Sequence, residues 1–414
     1  MQTKIIEKLD NGLQLILCPD ETKHTTYAEL MTNFGGLVKD YKANGEEYHL
    51  IDGIAHLLEH TLIDTSLYGN VLQHFHESHV SFNGVTTRFT TSFYIDTVKH
   101  FYESLEKLIN IVNVGVFTPE TLEVTKRPIF DEIRKNQDRR FYNYNRTYTE
   151  NVYDKTDFRD NLGTIEEIGN ISYEEVKRCH DTFYHPSNQI LMISGNFDVE
   201  KVKELVINTY NKINKEKIDF EIIDVDVSSK LDKKEIYVKD EKEDEIVNIT
   251  FKIDLSKFTP YEGLLLSHYF NYFMRYNFDD TSDLFNDLID KKYTVFSIDT
   301  SIAKVFNYIF VDIGCFTKEK DYFINKVLEI INNKDVITED KFTLMKKRGI
   351  VNQILKEESC HAILRSIIDN IIDHNYYDAD KLSDINSLTI EEYKKFMDRL
   401  DFSDYFIITQ GKED

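Results

Sequence analysis

His56, Glu59 and His60 are the residues of this 414-residue chain whose types and spacing most directly imply chemistry. Histidines four residues apart share one face of a helix, where two imidazoles can hold a single metal ion. Glu59, three residues after His56, reaches the same face. A carboxylate that is not itself a ligand, set beside a metal-activated water, is the usual general base of zinc peptide hydrolysis. The order His-x-x-Glu-His inverts the commoner His-Glu-x-x-His arrangement. Gly53-Ile54-Ala55 and Thr61-Leu62-Ile63 flank the motif with apolar sequence, in which a purely structural histidine pair would be costly to bury. Two histidines leave a catalytic zinc one protein ligand short, so a third must come from elsewhere in the chain.

The elements around the motif follow from hydrophobic period and turn residues. A strand from about Tyr27 to Phe34 ends at Gly35-Gly36, and the helix bearing the histidines follows after a polar loop. The second half repeats that order. Val247, Ile249, Phe251, Ile253 and Leu255 alternate with polar residues as a half-buried strand, followed by an apolar helical pattern from Glu262 to Phe273. A second echo lies at the two domain ends. Ser172 caps a helix that leads to an apolar strand, Ile190 to Ile193, before Gly195; Thr389 caps another that leads to Tyr405–Ile408 before Gly411. The repeat implies two homologous α+β domains, 1–213 and 235–414, with a charged linker at 214–234. For the Ile218 to Val227 part of that linker, a charged edge strand or hairpin is the alternative. With Gly263 set against Gly53, Leu266, Tyr269 and Phe270 stand where the first domain has His56, Glu59 and His60, so the metal belongs to the first domain only.

Beyond these residues the chain resembles the M16 metallopeptidase family of pitrilysin, insulysin and the mitochondrial processing peptidases. Asn11-Gly12-Leu13, Ser81-Phe82-Asn83-Gly84 with Thr86, Thr91 and Tyr94, Gly163-Thr164, Tyr184-His185-Pro186-Ser187-Asn188 and Gly195-Asn196 occur in the family order. The match is specific from about residue 4 to 212 and is closest to the short bacterial members, in which two separate chains form the chamber that insulysin makes from one. It implies that each domain is a mainly antiparallel sheet packed with helices, together half of such a chamber. It implies that Glu132, 72 positions after His60, completes a Zn²⁺ site with His56 and His60, leaving Glu59 as the catalytic base. It also implies that Phe82, Asn83 and Gly84 lie on an exposed edge near the zinc, able to bind a peptide substrate as an added strand.

The chain departs from the family at two places. A second glutamate seven residues before the ligand is replaced by Thr125. An arginine and a tyrosine, seven positions apart in the second domain and used to contact the substrate carbonyl, are replaced by Ile289 and Phe296. An apolar pair cannot donate hydrogen bonds to an oxyanion, and losing one such donor costs about 100-fold or more in rate. A second M16-like chain supplying that pair is therefore the expected partner, this chain being the zinc subunit of a heterodimer acting in leader-peptide removal or cytosolic peptide processing. The rival reading is a zinc-binding or scaffold subunit that binds peptides without cutting them.

Composition narrows the classes further. A formal net charge of −23 disfavours nucleic acid and anionic membranes as partners, and there is no Gly-x-x-x-x-Gly-Lys loop for nucleotide phosphates. No run of about 18 apolar residues offers a membrane insertion, and the amino terminus does not read as a secretory signal. Four widely spaced cysteines without a Cys-x-x-Cys pair suit reduced thiols in a cytoplasmic protein. His74, His76 and His79 do not share one helical face and are not read as a second metal site, and Asp131 is read as pointing away from Glu132's face.

Overall fold

The computed structural model describes residues 4–65, 67–153, 161–240, 245–334, 337–374 and 380–412. The chain divides into two compact units. One comprises Met1–Tyr142, Lys155–Asp226 and Cys360–Leu364; the other comprises Asn143–Asp154, Val227–Ser359 and Arg365–Asp414.

The first 223 residues contain β1 (Ile5–Lys8), β2 (Gln14–Pro19), β3 (Thr26–Thr32), β4 (Asp40–Ala43), β5 (Glu46–His49), α1 (Ile54–Asp64), α2 (Val71–Glu77), β6 (Ser81–Thr86), β7 (Thr91–Thr97), α3 (Phe101–Asn113), α4 (Pro119–Gln137), α5 (Tyr142–Val152), α6 (Ile165–Asn170), α7 (Tyr173–Phe183), β8 (Gln189–Gly195), α8 (Val199–Ile213) and β9 (Phe220–Ile223). The remainder contains β10 (Glu235–Lys239), β11 (Glu245–Asp254), α9 (Pro260–Phe278), α10 (Asp283–Asp290), β12 (Asp299–Val305), β13 (Tyr308–Thr317), α11 (Lys320–Asn332), α12 (Glu339–Lys356), α13 (Cys360–His374), α14 (Lys381–Ser387), α15 (Ile390–Arg399) and β14 (Tyr405–Gly411).

The sheet of the first unit runs β1-β2-β8-β3-β7-β6, and that of the second runs β10-β14-β11-β13-β12. Apart from β1, the two orders are the same when β2, β8, β3, β7 and β6 are matched to β10, β14, β11, β13 and β12. The sense of pairing agrees as well: β2–β8 and β10–β14 are parallel, and the other pairs are antiparallel. The fold is thus α+β with two mainly antiparallel sheets of one topology.

Each unit has its own core. In the first, Leu57, Leu58 and Leu62 of α1 are fully or almost fully buried with Phe93 and Ile95 of β7 and Ile129 of α4. At about 1.5–3 kcal/mol per buried side chain, this packing fixes α1 on the sheet. In the second, Leu266, Tyr269 and Phe270 of α9 are at most 1 % exposed and pack with Phe251 and Val311, so the residues standing opposite the metal motif in the repeat are core.

Two segments bear on the expected boundaries. Phe220–Ile223 takes the edge-strand form given as the alternative to linker, pairing with β4 in a small sheet ordered β5-β4-β9. The units divide at Asp226 and Val227, inside the 214–234 stretch, but α5 lies in the second unit although it falls within 1–213. The reason is chemical. The Tyr148 hydroxyl donates to Asp312 at 2.7 Å, and the Tyr153 ring meets Phe310 at 4.7 Å.

Candidate metal centre

The turn into α1 depends on Gly53, which has φ 84°. A Cβ there would meet the Leu162 carbonyl oxygen at 2.5 Å, so both the conformation and the space require glycine. Just before it, the buried Lys39 pairs with Asp52. Within α1 the apolar residues face the core, and His56 and His60 occupy the remaining face with ring centroids 4.6 Å apart.

Glu132 comes from α4. That helix starts at a capping box in which the Thr118 and Thr121 side chains each bond the other's backbone amide, with Pro119 at its first position. Buried Lys126 ties it to the Gly169 carbonyl at 3.2 Å. Pro128 sits one turn before Glu132 and cannot donate to the Val124 carbonyl, an omission placed on the exposed side of the helix.

The α4 register brings Glu132 Oε2 to 3.8 Å from His56 Nε2 and 3.9 Å from His60 Nε2. The three donor atoms lie within 4.8 Å of one another, and the two separations from Glu132 are ones that bonds of about 2 Å to a single ion can span. Among the described residues this is the only such group of three. Burial, and His60 beside it, push the His56 pKa down to about 3, so its imidazole is neutral, as a metal ligand must be. His56 Nδ1 is buried without a hydrogen-bond partner among the described residues.

Glu59 is 5 % exposed and stands outside this donor set. Burial raises its pKa to about 7, the hydrogen bond from Thr86 opposes that rise, and the charge of Glu132 adds to it. The Thr86 hydroxyl donates to Glu59 Oε2 at 2.6 Å, while Oε1 lies over Gly84. A carboxyl group poised near neutrality beside a metal donor set can both accept and return a proton.

Phe82, Asn83 and Gly84 are on β6, which pairs only with β7 and forms the sheet edge. Alternation sends their side chains to opposite faces. Phe82 is buried and stacked on Phe75 at 4.8 Å, so only its backbone is available at the edge. Gly84 faces Glu59, whereas Asn83 is exposed on the opposite face with no hydrogen-bond partner among the described residues. Asp131 is solvated and paired with Arg134 at 3.0 Å. His74 stacks on Tyr68 and joins no donor group. In the second unit, Ile289 and Phe296 are 38 % and 50 % exposed.

Sequence reasoning did not single out Asp64, one turn after His60. Burial raises its pKa, and His60 and the Thr125 side chain pull it back, which places an acidic group beside the position where the family has its second glutamate. The signal was its i+4 spacing from His60.

The profile described as the peptidase M16 inactive domain matches residues 170–348, a stretch that begins after Glu132. A Bacillus subtilis protein described as the uncharacterized zinc protease YmfH is 28 % identical over 369 residues, covering 84 % of this chain and 82 % of that protein. Among solved structures, an M16-like peptidase from Alicyclobacillus acidocaldarius aligns over 100 % of this chain and 99 % of its own with a TM-score of 0.88 at 19 % identity. A protease from Helicobacter pylori aligns over the whole of both chains with a TM-score of 0.81 at 16 % identity, which again shows the shared fold. No helix among the described residues is long and apolar enough to cross a membrane. With the repeated sheet topology, these comparisons show that the chain has the fold of M16-like peptidases and that its sequence is similar to a zinc protease and, over 170–348, to the M16 inactive domain.

Proposed function

We propose that this chain is a zinc-dependent endopeptidase in which His56, His60 and Glu132 hold Zn²⁺ and Glu59 is the catalytic base. The observation that carries the reading is the convergence of three donors from α1 and α4 beside a buried carboxyl group that is not one of them. When bound, zinc supplies a Lewis acid that polarises the scissile carbonyl and acidifies a water. Glu59 takes the proton from that water and returns it to the leaving amine. Thr86 fixes one carboxyl oxygen by its hydrogen bond, leaving Oε1 on the Gly84 side for the proton. The open edge of β6 positions an extended peptide through backbone hydrogen bonds, with Asn83 the exposed polar side chain along it.

The substrates of this reading are peptides or short unfolded segments, processed as leaders or cleared in the cytoplasm. Four free, buried cysteines support a reducing compartment. The exposed, apolar Ile289 and Phe296 favour a heterodimer in which a second M16-like chain supplies the hydrogen-bond donors to the substrate carbonyl. The same two residues favour the second reading, a subunit that binds zinc and peptide without turnover.

The test is cleavage of a mixed peptide library by the zinc-loaded chain, with Glu59→Gln as control. Glu59-dependent cleavage by the chain alone would support the peptidase and remove the need for a partner. Cleavage restored only by a second M16-like chain would support the heterodimer. Zinc and peptide bound without cleavage under either condition would leave the non-catalytic subunit.

A further inference from the structure

The repeat that places α1, α4 and β6 around the donor set in the first unit has a counterpart in the second. Counting along each unit from its central strand, α9 follows β11 as α1 follows β3, β12 is the edge strand as β6 is, and α12 stands in the place of α4. Between α9, β12 and α12 lies a cleft of 980 Å³. It contains no set of metal donors among the described residues, but it is not apolar either.

Its ionisable lining is unlike the rest of the chain. The protein has a formal net charge of −23, yet this cleft is lined by Arg275, Lys304, Lys341, Arg348, Lys356 and Lys381. They face only Asp279, Asp283 and Asp369. Among the described residues Arg275, Lys341, Arg348 and Lys356 make no ion pair, although the surface has many acidic groups. Six basic groups against three acidic ones leave the cleft wall with an excess of positive charge.

The floor adds unsatisfied polar atoms. Tyr272 is 6 % exposed and its hydroxyl has no hydrogen-bond partner among the described residues; the same is true of the buried His268 Nε2, one helical turn earlier. Both residues line the cleft, and Arg275 lies on the same helix face, seven positions after His268. A buried polar group left without a partner costs about 1–3 kcal/mol, so such atoms in a cavity wall mark where a ligand or water bonds. The volume greatly exceeds that of a single small anion and suits a chain segment.

We infer that this cleft binds a carboxylate-bearing peptide segment, with Arg275 and Arg348 engaging carboxylates and Tyr272 and His268 providing polar contacts at the floor. The inference rests on the peptide-hydrolase reading for the class of ligand. The cleft would then be a second docking point, on the unit without the metal set, that selects acidic peptides over basic ones.

The test uses the full chain carrying Glu59→Gln and stripped of metal, so that binding is read without turnover. A short fluorescent peptide rich in glutamate is compared by anisotropy with its glutamine counterpart. The glutamate peptide should bind about tenfold or more tightly, and Arg275→Gln with Arg348→Gln should remove that preference. Lys341→Gln with Lys356→Gln, on the exposed face of α12, should weaken it in a second, independent variant. Amidating the peptide's carboxy terminus separates the two sources of carboxylate: loss of the preference on amidation assigns the terminus, and its retention assigns the side chains. Equal binding of the two peptides overturns the inference, as does a preference that survives both sets of substitutions in proteins of unchanged thermal stability. Displacement of the peptide by an equal concentration of inorganic phosphate also overturns it, leaving a small-anion site. Failure of the zinc-loaded protein to cleave peptides both alone and with a second M16-like chain, with acid-selective binding intact, would overturn the peptidase reading alone.

Discussion

The space over Gly84 is occupied by the Glu59 carboxyl group: a Cβ at Gly84 would stand 2.7 Å from Oε1 and 3.0 Å from Cγ of Glu59. The edge strand and the candidate base therefore fit together only because residue 84 has no side chain. Gly84→Ala should displace Glu59 while leaving the three donors in place. Turnover should fall by about 100-fold or more, the scale of a misplaced general base, with zinc content unchanged by atomic absorption. Full activity in that variant would separate Glu59 from the chemistry.

Glu59 also sets a stability cost. Burial raises its pKa from 4.5 to about 7, so the folded metal-free chain holds the proton more tightly than the unfolded chain does. The stability linked to that proton is present below about 4.5 and is lost as pH rises through about 7. Glu59→Gln removes the titration and should stabilise the metal-free protein by up to about 3 kcal/mol above pH 7, with little difference at the acidic end. Urea denaturation of both proteins across that range measures it; parallel curves would mean that Glu59 is solvated.

Removing a donor should act on the metal before it acts on the fold. His60→Ala and Glu132→Gln each leave two of the three groups, and affinity for zinc should fall by more than about 100-fold, the upper loss seen when only a supporting group is removed. Competition with a chromophoric chelator reads this directly, with circular dichroism as the control for folding.

The anchor of α5 gives a prediction remote from the site. Asp312 accepts hydrogen bonds from Tyr148, Asn248, Thr250 and Ser301. Tyr148→Phe removes one of the four donors and should cost about 1–2 kcal/mol, whereas Asp312→Ala strands all of them and should cost more. Chemical denaturation of the two variants checks the order.

Much of the candidate site's arrangement was legible because its information is local. His56, Glu59 and His60 share a helix face by spacing alone, and the family pattern was enough to single out Glu132, which the structure sets within 3.9 Å of both imidazoles. The alternation of Val247 to Leu255 and the caps at Ser172 and Thr389 likewise announce β11, α7 and α15. What escaped depends on partners distant in the chain. The fit of Gly84 against Glu59 was not read, because the two lie 25 residues apart on different elements. The allegiance of α5 was hidden because the acceptor of Tyr148 is 164 residues away, and no periodicity reports a single hydrogen bond at that range. Asp64 carried a local signal in its i+4 spacing from His60, but its other neighbour, Thr125 of α4, is distant in the chain and left no trace in the sequence pattern.

The passage of α5 into the second unit bears on how the chain can be dissected. Eleven residues after Glu132 on α4 the backbone has entered the other unit, from which it returns before Asp226. A fragment stopped at Asp226 would retain Tyr148 but lose Asp312, and the complementary fragment would retain Asp312 with nothing from α5 to cover it. One cut cannot yield two intact halves, so the boundary between the two matched sheets is not a seam along which the protein can be opened.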